Sequence, residues 1–445
     1  MNNHLRGSLL SLLLLILFTG LVAQTNEYSL KQCIDYAWEN STDISRAYNS
    51  IESKQSSLEQ SKAGLLPNLS LGLNQNYSIS RNYVDSANGG SWESRNQAST
   101  GIALNSSVTL FNGAKLINSI RQKNCELSAS EYELQTQKDL LSLKVMTAYI
   151  NLLLAEEQVS NRTSQLSSTE GQLQLAQARK SAGLISQSDY INIKSAYASD
   201  KATLVSAESA LRINLVSLMQ AMNMPVRDSL KVVEPDFEAL IEAENVNDAE
   251  KIYEKALAIR PDIKIADLKL KSAELGIKIA KADALPTVSL RGSLGTGYSD
   301  ALSVPDFSEQ FTNSVSPSVS LVLSVPIFQN KIVKNQVTQA KIQQAESQLS
   351  LMDIKNEIRK GIEQACTDFD IAKVSYEAAQ ERYNAELESY RLAEEMFAQG
   401  MINSVDYQSA KYNYINAQIS LTQTKYNVLL QKQVINYFCG KPITF

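Results

Sequence analysis

Residues 67–80 read Pro67-Asn68-Leu69-Ser70-Leu71-Gly72-Leu73-Asn74-Gln75-Asn76-Tyr77-Ser78-Ile79-Ser80. Proline lacks a backbone donor and disfavours helix in the residue before it, so a helix arriving here must end. Beyond it the period is two. Leu69, Leu71, Leu73, Tyr77 and Ile79 share one side, and Ser70, Gly72, Asn74, Asn76, Ser78 and Ser80 share the other. This predicts a strand with one apolar face and one face of small polar groups. Three further stretches alternate in the same way. Ile102, Leu104, Val108 and Leu110 oppose Gly101, Ala103, Asn105, Ser107 and Thr109. Val288, Leu290, Leu294 and Tyr298 oppose Ser289, Arg291, Ser293 and Gly295. Val315, Val319, Leu321, Leu323, Val325 and Ile327 oppose Ser316, Ser318, Ser320 and Ser324.

Two architectures use such strands: a soluble sandwich, or a transmembrane barrel with lipid outside and water inside. Each predicted strand has about 11 residues, or about 36 Å at 3.3 Å per residue. Tilted by about 40°, that length crosses an apolar band of about 25 Å. Four strands cannot close a barrel, since the smallest have about eight. An open edge in lipid leaves N–H and C=O groups unpaired, at several kcal/mol each. A membrane reading therefore demands several copies, and three would supply about twelve strands. The connections at 81–96 and 299–313 are polar and rich in turn residues, so both are predicted as loops on one side of the membrane.

The strands belong to an internal duplication. Ala37 lies over Ala256, Asp43-Ile44 over Asp262-Ile263, and Leu66-Pro67 over Leu285-Pro286, all 219 positions apart. After the strands the offset is 217, which puts Phe111 on Phe328, Gly183 on Gly400, Asp189-Tyr190 on Asp406-Tyr407 and Pro225 on Pro442. Four segments follow: a signal peptide at 1–23, a first repeat at 24–225 with its hairpin at 68–111, an acidic linker at 226–249, and a second repeat at 250–445 with its hairpin at 287–328. The signal peptide rests on Arg6, an apolar run from 9 to 18, and Leu21-Val22-Ala23 as a cleavage site.

The remainder has helical period, at 30–65, 113–180 and 187–221, then at 249–284, 331–398 and 404–438. The two long helices would reach about 100 Å at 1.5 Å per residue. Their apolar rows repeat every seven residues: Leu127, Leu134, Leu141, Ala148 and Ala155 in one, Phe369, Tyr376, Tyr383, Tyr390 and Phe397 in another. The return helices carry Tyr190, Tyr197, Leu204, Leu211 and Leu218, matched by Tyr407, Tyr414, Leu421, Val428 and Ile435. A sustained seven-residue period implies knobs-into-holes pairing. The aromatic row is either such packing or a stacking surface for a ligand; its aliphatic counterparts in the first repeat favour packing.

Composition narrows the function. The 445 residues carry 42 Lys and Arg against 47 Asp and Glu, a net charge of −5, which argues against a nucleic-acid partner. With 17 Gly and 9 Pro, long uninterrupted elements are expected. The single histidine, His4, falls in the signal peptide, so a His-based triad or zinc site cannot be built from the mature chain. No acid–base or nucleophile constellation converges, and no catalytic, metal or cofactor residues are assigned. Cys33, Cys125, Cys366 and Cys439 match no metal spacing. They are either buried thiols or, for Cys33 and Cys439 after export, a bridge.

The whole mature chain resembles the outer-membrane efflux protein family, the TolC-like outer membrane factors. The resemblance rests on Ala-x5-Asp-Ile around Asp43 and Asp262, on Pro67 and Pro286 entering the hairpins, and on Leu110-Phe111-Asn112-Gly113 and Pro326-Ile327-Phe328 leading into the long helices. It rests also on the paired turns Gly183-Leu184-Ile185-Ser186 through Asp189 and Gly400-Met401-Ile402-Asn403 through Asp406. It implies a mixed α and β membrane protein. Four strands per chain would join a homotrimeric twelve-stranded barrel, continued by a coiled-coil α-helical barrel in the periplasm. It implies a passive exit channel that meets outer-membrane lipid, a periplasmic adaptor and an inner-membrane transporter. The adaptor-docking turns carry over onto Gly183, Leu184, Ile185, Ser186, Asp189, Gly400, Met401, Ile402, Asn403 and Asp406. These residues also make good turns on their own, and the two descriptions fit equally. Asn192 and Ser409 stand where some members carry tip charges, so no carboxylate ring is assigned.

Arg291 and Ser320 would face the lumen, where Arg291 either tunes the bore or is satisfied by its neighbours. The competing reading is a periplasmic coiled-coil structural or adaptor protein with a soluble strand domain. Such a protein has no need of an apolar row on all four strands.

Overall fold

The computed structural model describes residues 27–85, 89–226, 230–235, 237, 248–300, 306–441 and 443. The expected signal peptide, Pro442 and most of the linker lie outside the described residues. The described residues form two compact units, each drawn from both halves of the sequence. One comes from 48–133 and 261–354, and the other from 27–47, 134–260 and 355–443.

The first unit contains a four-stranded antiparallel sheet of β2 (Asn68–Val84), β3 (Ser91–Phe111), β5 (Thr287–Ser299) and β6 (Ser316–Ser324), in that spatial order. Directly opposed residues share a face, so the register collects the predicted rows. Leu71, Leu104, Leu294 and Pro317 lie side by side, as do Val108, Leu290 and Leu321. The opposite face carries Asn68, Ser107, Arg291 and Ser320 in one row. Strand lengths depart from the uniform expectation. β2 and β3 have 17 and 21 residues, and β5 and β6 have 13 and 9. The first connection was expected as a loop over 81–96, yet the ladder continues to Val84 and Ser91. Its polar residues still alternate, and pairing satisfies the backbone there as well as water would. In the second connection a short helix, α7 (Phe307–Asn313), stands where a loop was expected. Beyond the end of β6, the Gln310 amide takes the place of a neighbouring strand. Ser299 N–H donates to its Oε1 at 3.0 Å, and its Nε2 donates to the Ser299 carbonyl at 3.2 Å.

The helices at 30–65 and 249–284 each prove to be two. α1 (Leu30–Asn40) and α2 (Thr42–Ala63) break at Ser41, and α5 (Ala249–Ile259) and α6 (Pro261–Ala282) break at Arg260. Ser41 ends α1 in extended conformation while its hydroxyl accepts from the Asp43 and Ile44 amides of α2. At the equivalent break Pro261 takes the first helical position and forces Arg260 out of the helical region. The long helices α3 (Lys115–Ser181) and α8 (Ile332–Ala398) have 67 residues each, and the return helices α4 (Gln187–Ala221) and α9 (Ser404–Phe438) have 35 each. Both long helices are entered through two successive residues at positive φ, Gly113 and Ala114 in one copy and Asn330 and Lys331 in the other.

The core of the second unit gathers Leu30, Cys33, Ile34 and Ala37 of α1 with Val145, Met146, Tyr149 and Leu152 of α3 and Leu218, Met219 and Leu429 of the return helices. A two-residue parallel pair, β1 (Glu27–Tyr28) with β4 (Lys231–Val232), closes over it, and the buried Tyr149 hydroxyl donates to the Tyr28 and Val233 carbonyls. This pair gives part of the linker a structural task that no pattern announced. All four cysteines are free thiols, and Cys33 and Cys439 are both buried, so the bridge between them is not formed. Burial in this core pushes the Cys33 thiol up to about 12, where it stays protonated and inert.

Candidate functional site: the paired helical turns

Each long helix ends with the same hydrogen-bond pattern. Leu184 N–H donates to the Arg179 carbonyl at 2.8 Å and Gly183 N–H to Lys180 at 3.0 Å. Met401 and Gly400 repeat this on Met396 and Phe397 at 2.8 and 3.1 Å. The motif needs a left-handed residue after the cap, and Gly183 and Gly400 supply it at φ +69° and +75°. The return helices then start on side-chain caps. Ser186 Oγ accepts from Asp189 N–H at 3.0 Å and donates to Asp189 Oδ2 at 2.6 Å. Asn403 Oδ1 accepts from Val405 N–H at 2.8 Å and Asp406 N–H at 2.9 Å.

The two turns lie beside each other and are tied. Asn192 Nδ2 donates to Ser404 Oγ at 3.2 Å, and Arg179 donates to the Ala398 carbonyl at 3.3 Å, next to the negative end of α8. Hydrogen bonds from Ser186 and Ser404 hold the Asp189 carboxyl below its ordinary range. Asp189 and Asp406 are therefore not equivalent: the first bridges the two turns, and the second is exposed beside its own cap. Leu184 is 74% exposed and Met401 66%, so each turn presents one large apolar side chain to solvent. Ile185 and Ile402 are half-buried.

Above the turns lies a polar layer that no sequence pattern marked. Lys411 of α9 is 5% exposed. Its ammonium donates to Thr169 Oγ1 of α3 at 2.5 Å and stands 3.8 Å from Asp200 Oδ2 of α4. Thr169 donates to the same Asp200 oxygen at 2.5 Å, and Gln165 Nε2 to Oδ1 at 2.6 Å. Burial lowers the Lys411 pKa while Asp200 opposes the shift. Between layer and turn, Tyr407 stacks on Phe397 at 4.9 Å, and its hydroxyl meets Tyr390 and the Gln172 amide. Tyr390 stacks in turn on Tyr414 at 5.2 Å. The rest of the row also packs internally, Tyr383 on Tyr414 at 5.8 Å and Tyr376 on Phe237 of the linker at 5.4 Å.

On the sheet, Arg291 and Ser320 are directly opposed on the small-polar face, as expected from alternation. Among the described residues no cluster of His, Cys, Asp or Glu is placed to hold a metal. No helix there is long and apolar enough to cross a membrane.

The architecture has known counterparts. The chain is 23% identical to the outer membrane protein TolC of Escherichia coli over 97% of its own length and 86% of that protein's. It is 22% identical to the outer membrane efflux protein BepC of Brucella suis, over 78% and 73%. The open-state structure of the Neisseria gonorrhoeae MtrE outer membrane channel superposes with a TM-score of 0.76 at 20% identity, covering 94% of this chain and 90% of that one. The family model described as outer membrane efflux protein matches residues 33–224 and 252–436, one stretch in each repeat. The chain belongs to the outer membrane efflux protein family, the TolC-like channels of the outer membrane.

Proposed function

We propose that this protein is the passive exit duct of a tripartite export system, working as a homotrimer. The observation that carries this reading is the sheet. β2 and β6 each pair on one side only, and the face bearing Leu71 (71% exposed) and Leu321 (66% exposed) is apolar along all four strands. Open edges and an apolar face are both untenable in one isolated chain. Three copies would join β2 to β6 around a ring, turn the apolar face to lipid and enclose Arg291 and Ser320 in a wet lumen. We assign residues 24–225 and 250–445 as the two repeats of each subunit, joined by the 226–249 linker.

The helical turns are the docking surface for a periplasmic adaptor, which couples the duct to an inner-membrane transporter. Exposed Leu184 and Met401 offer the apolar contact, and Gly183, Ile185, Ser186 and Asp189 with Gly400, Ile402, Asn403 and Asp406 hold the turns in shape.

Leu294→Arg tests the sheet, because Leu294 stands midway along the apolar face, where a charge facing lipid costs about 2–4 kcal/mol. The variant should yield no detergent-stable trimer on native gels, while Ser293→Arg on the opposite face assembles. Equal behaviour of the two would refute the face assignment. Photo-crosslinkers at Leu184 and Met401 should capture a coiled-coil adaptor in export-competent cells, and failure at both positions would remove the docking assignment.

A further inference from the structure

The first hairpin is longer than a membrane crossing requires, and the excess has a distinctive outward face. Take the apolar face from Val288 to Tyr298 of β5. Ten residues cover about 33 Å along the strand, or about 25 Å along the membrane normal at a tilt of about 40°. That matches the apolar band of a membrane barrel. Aromatic rings mark its upper boundary, where Tyr298 packs on Phe307 at 5.1 Å and Phe307 on Phe311 at 5.4 Å. β5 pairs with β3 no further than Ser99. β2 and β3 continue together as a two-stranded ribbon to the Val84–Ser91 pair.

On the ribbon's outward face stand Tyr77, Ile79, Arg81 and Tyr83, with Ala98, Asn96, Ser94 and Trp92 opposite them. Arg81 lies six residues past Gln75, which shares a rung with Tyr298, so the ribbon carries it about 15 Å further along the membrane normal than that rung. Tyr83 and Trp92 lie about 5 Å higher. Both rings are exposed and meet edge to face at 5.5 Å. Gly90 makes room for them: a Cβ there would come within 2.1 Å of the Tyr83 ring. Among the paired residues of this face Arg81 is the only charged one, with Asp85 just beyond the last pair, whereas the inner face carries both Arg95 and Glu93.

A cation at that height, flanked by two aromatic faces and continuous with a lipid-facing row, suits one kind of partner. We infer that the ribbon binds the phosphorylated saccharide headgroup of an outer-leaflet glycolipid, with Arg81 on phosphate and Tyr83 and Trp92 against sugar rings. Guanidinium pairs two phosphate oxygens in one plane, and aromatic faces cover the apolar C–H faces of sugars. The inference rests on the proposed membrane orientation.

The chain has two tryptophans, so Trp38→Phe leaves Trp92 as the sole reporter. The full-length trimer of that variant is reconstituted into vesicles of phosphatidylcholine alone, with phosphatidylglycerol, or with lipopolysaccharide. A blue shift of Trp92 emission and loss of iodide quenching are expected only with lipopolysaccharide. Arg81→Ala should abolish both, and the inner-face variant Glu93→Gln should keep them. Equal emission in all three vesicles, an equal response to phosphatidylglycerol, or indifference to Arg81→Ala would each overturn the inference. Flotation separates the two claims: a protein that floats with every vesicle yet shows no shift loses only the glycolipid site, and one that floats with none loses the membrane reading too.

Discussion

Lys194 and Lys411 occupy the same place in two copies of one hairpin, 217 positions apart, yet the first is solvated and the second is 5% exposed. The backbone around them repeats, with identical helix lengths and the same terminal hydrogen-bond pattern, although Ser186 caps one return helix and Asn403 the other. Their neighbours do not. Asp200, which faces Lys411, has Ala417 as its counterpart, and Thr169 has Glu386. The same divergence separates Tyr190, half-buried with Lys180 4.4 Å above its ring, from Tyr407, which is sealed between Phe397 and Tyr390. The two hairpins share a scaffold, and differences at single positions across the helix contacts give each its own interior. The second copy became the aromatic one, and the first supplies the acid that its lysine needs.

The comparison breaks most sharply at the buried charge. Asp200→Ala strands an ammonium away from water and should cost about 3–5 kcal/mol. Lys194→Ala, at the solvated twin of Lys411, should stay within about 0.5 kcal/mol. Thermal melting of the purified protein followed at 222 nm checks both. Comparable losses would mean that the two lysines share an environment after all. Tyr407→Ala should follow at about 3–5 kcal/mol for an emptied aromatic site, against about 1 kcal/mol or less for Tyr190→Ala. Tyr407→Phe, which keeps the stack and removes the hydroxyl's bonds, sharpens the test at about 1 kcal/mol.

The smallest effect belongs to the turns. Asp189 is held below its ordinary value of 3.8 by Ser186 and Ser404. Its contribution is therefore complete above that value and is lost as pH falls through the lowered native one. Asp189→Asn should flatten the acid limb of the stability–pH curve, and Asp406→Asn should leave it in place. An unchanged curve in Asp189→Asn would show that the bridge to Ser404 contributes nothing in solution.

Much of the architecture was legible because it depends on period. Alternation after Pro67 and Pro286 predicts strands, and the seven-residue rows predict helices that end where Gly183 and Gly400 allow a left-handed turn. The bounds of α4 and α9 agree with the sequence reading to the residue. The helix break at Ser41 has no signal in the period, because the apolar stripe passes through it without losing phase; the break at Arg260 is marked by Pro261, which the unbroken stripe outweighed in the sequence reading. The β1–β4 pair was missed because two residues carry no period at all. At the turns, Gly183, Ser186, Asp189, Gly400 and Asn403 announce themselves by residue type. Their partner Ser404 does not, since a serine inside the first turn of a helix reads the same whether or not an acid from another helix reaches it.

The sequence by itself determined the order, length and doubling of the elements, because hydrogen-bond period and capping act between residues close along the chain. It determined also which face of each strand is apolar. Only the tertiary structure decided that Lys411 is buried against Asp200, that Asp189 reaches Ser404, and that Tyr83 leans on Trp92. The first two join residues more than 200 positions apart and the third crosses a hairpin whose length no period fixed, and the free energy of each depends on the company its side chains keep after folding rather than on their place in any pattern.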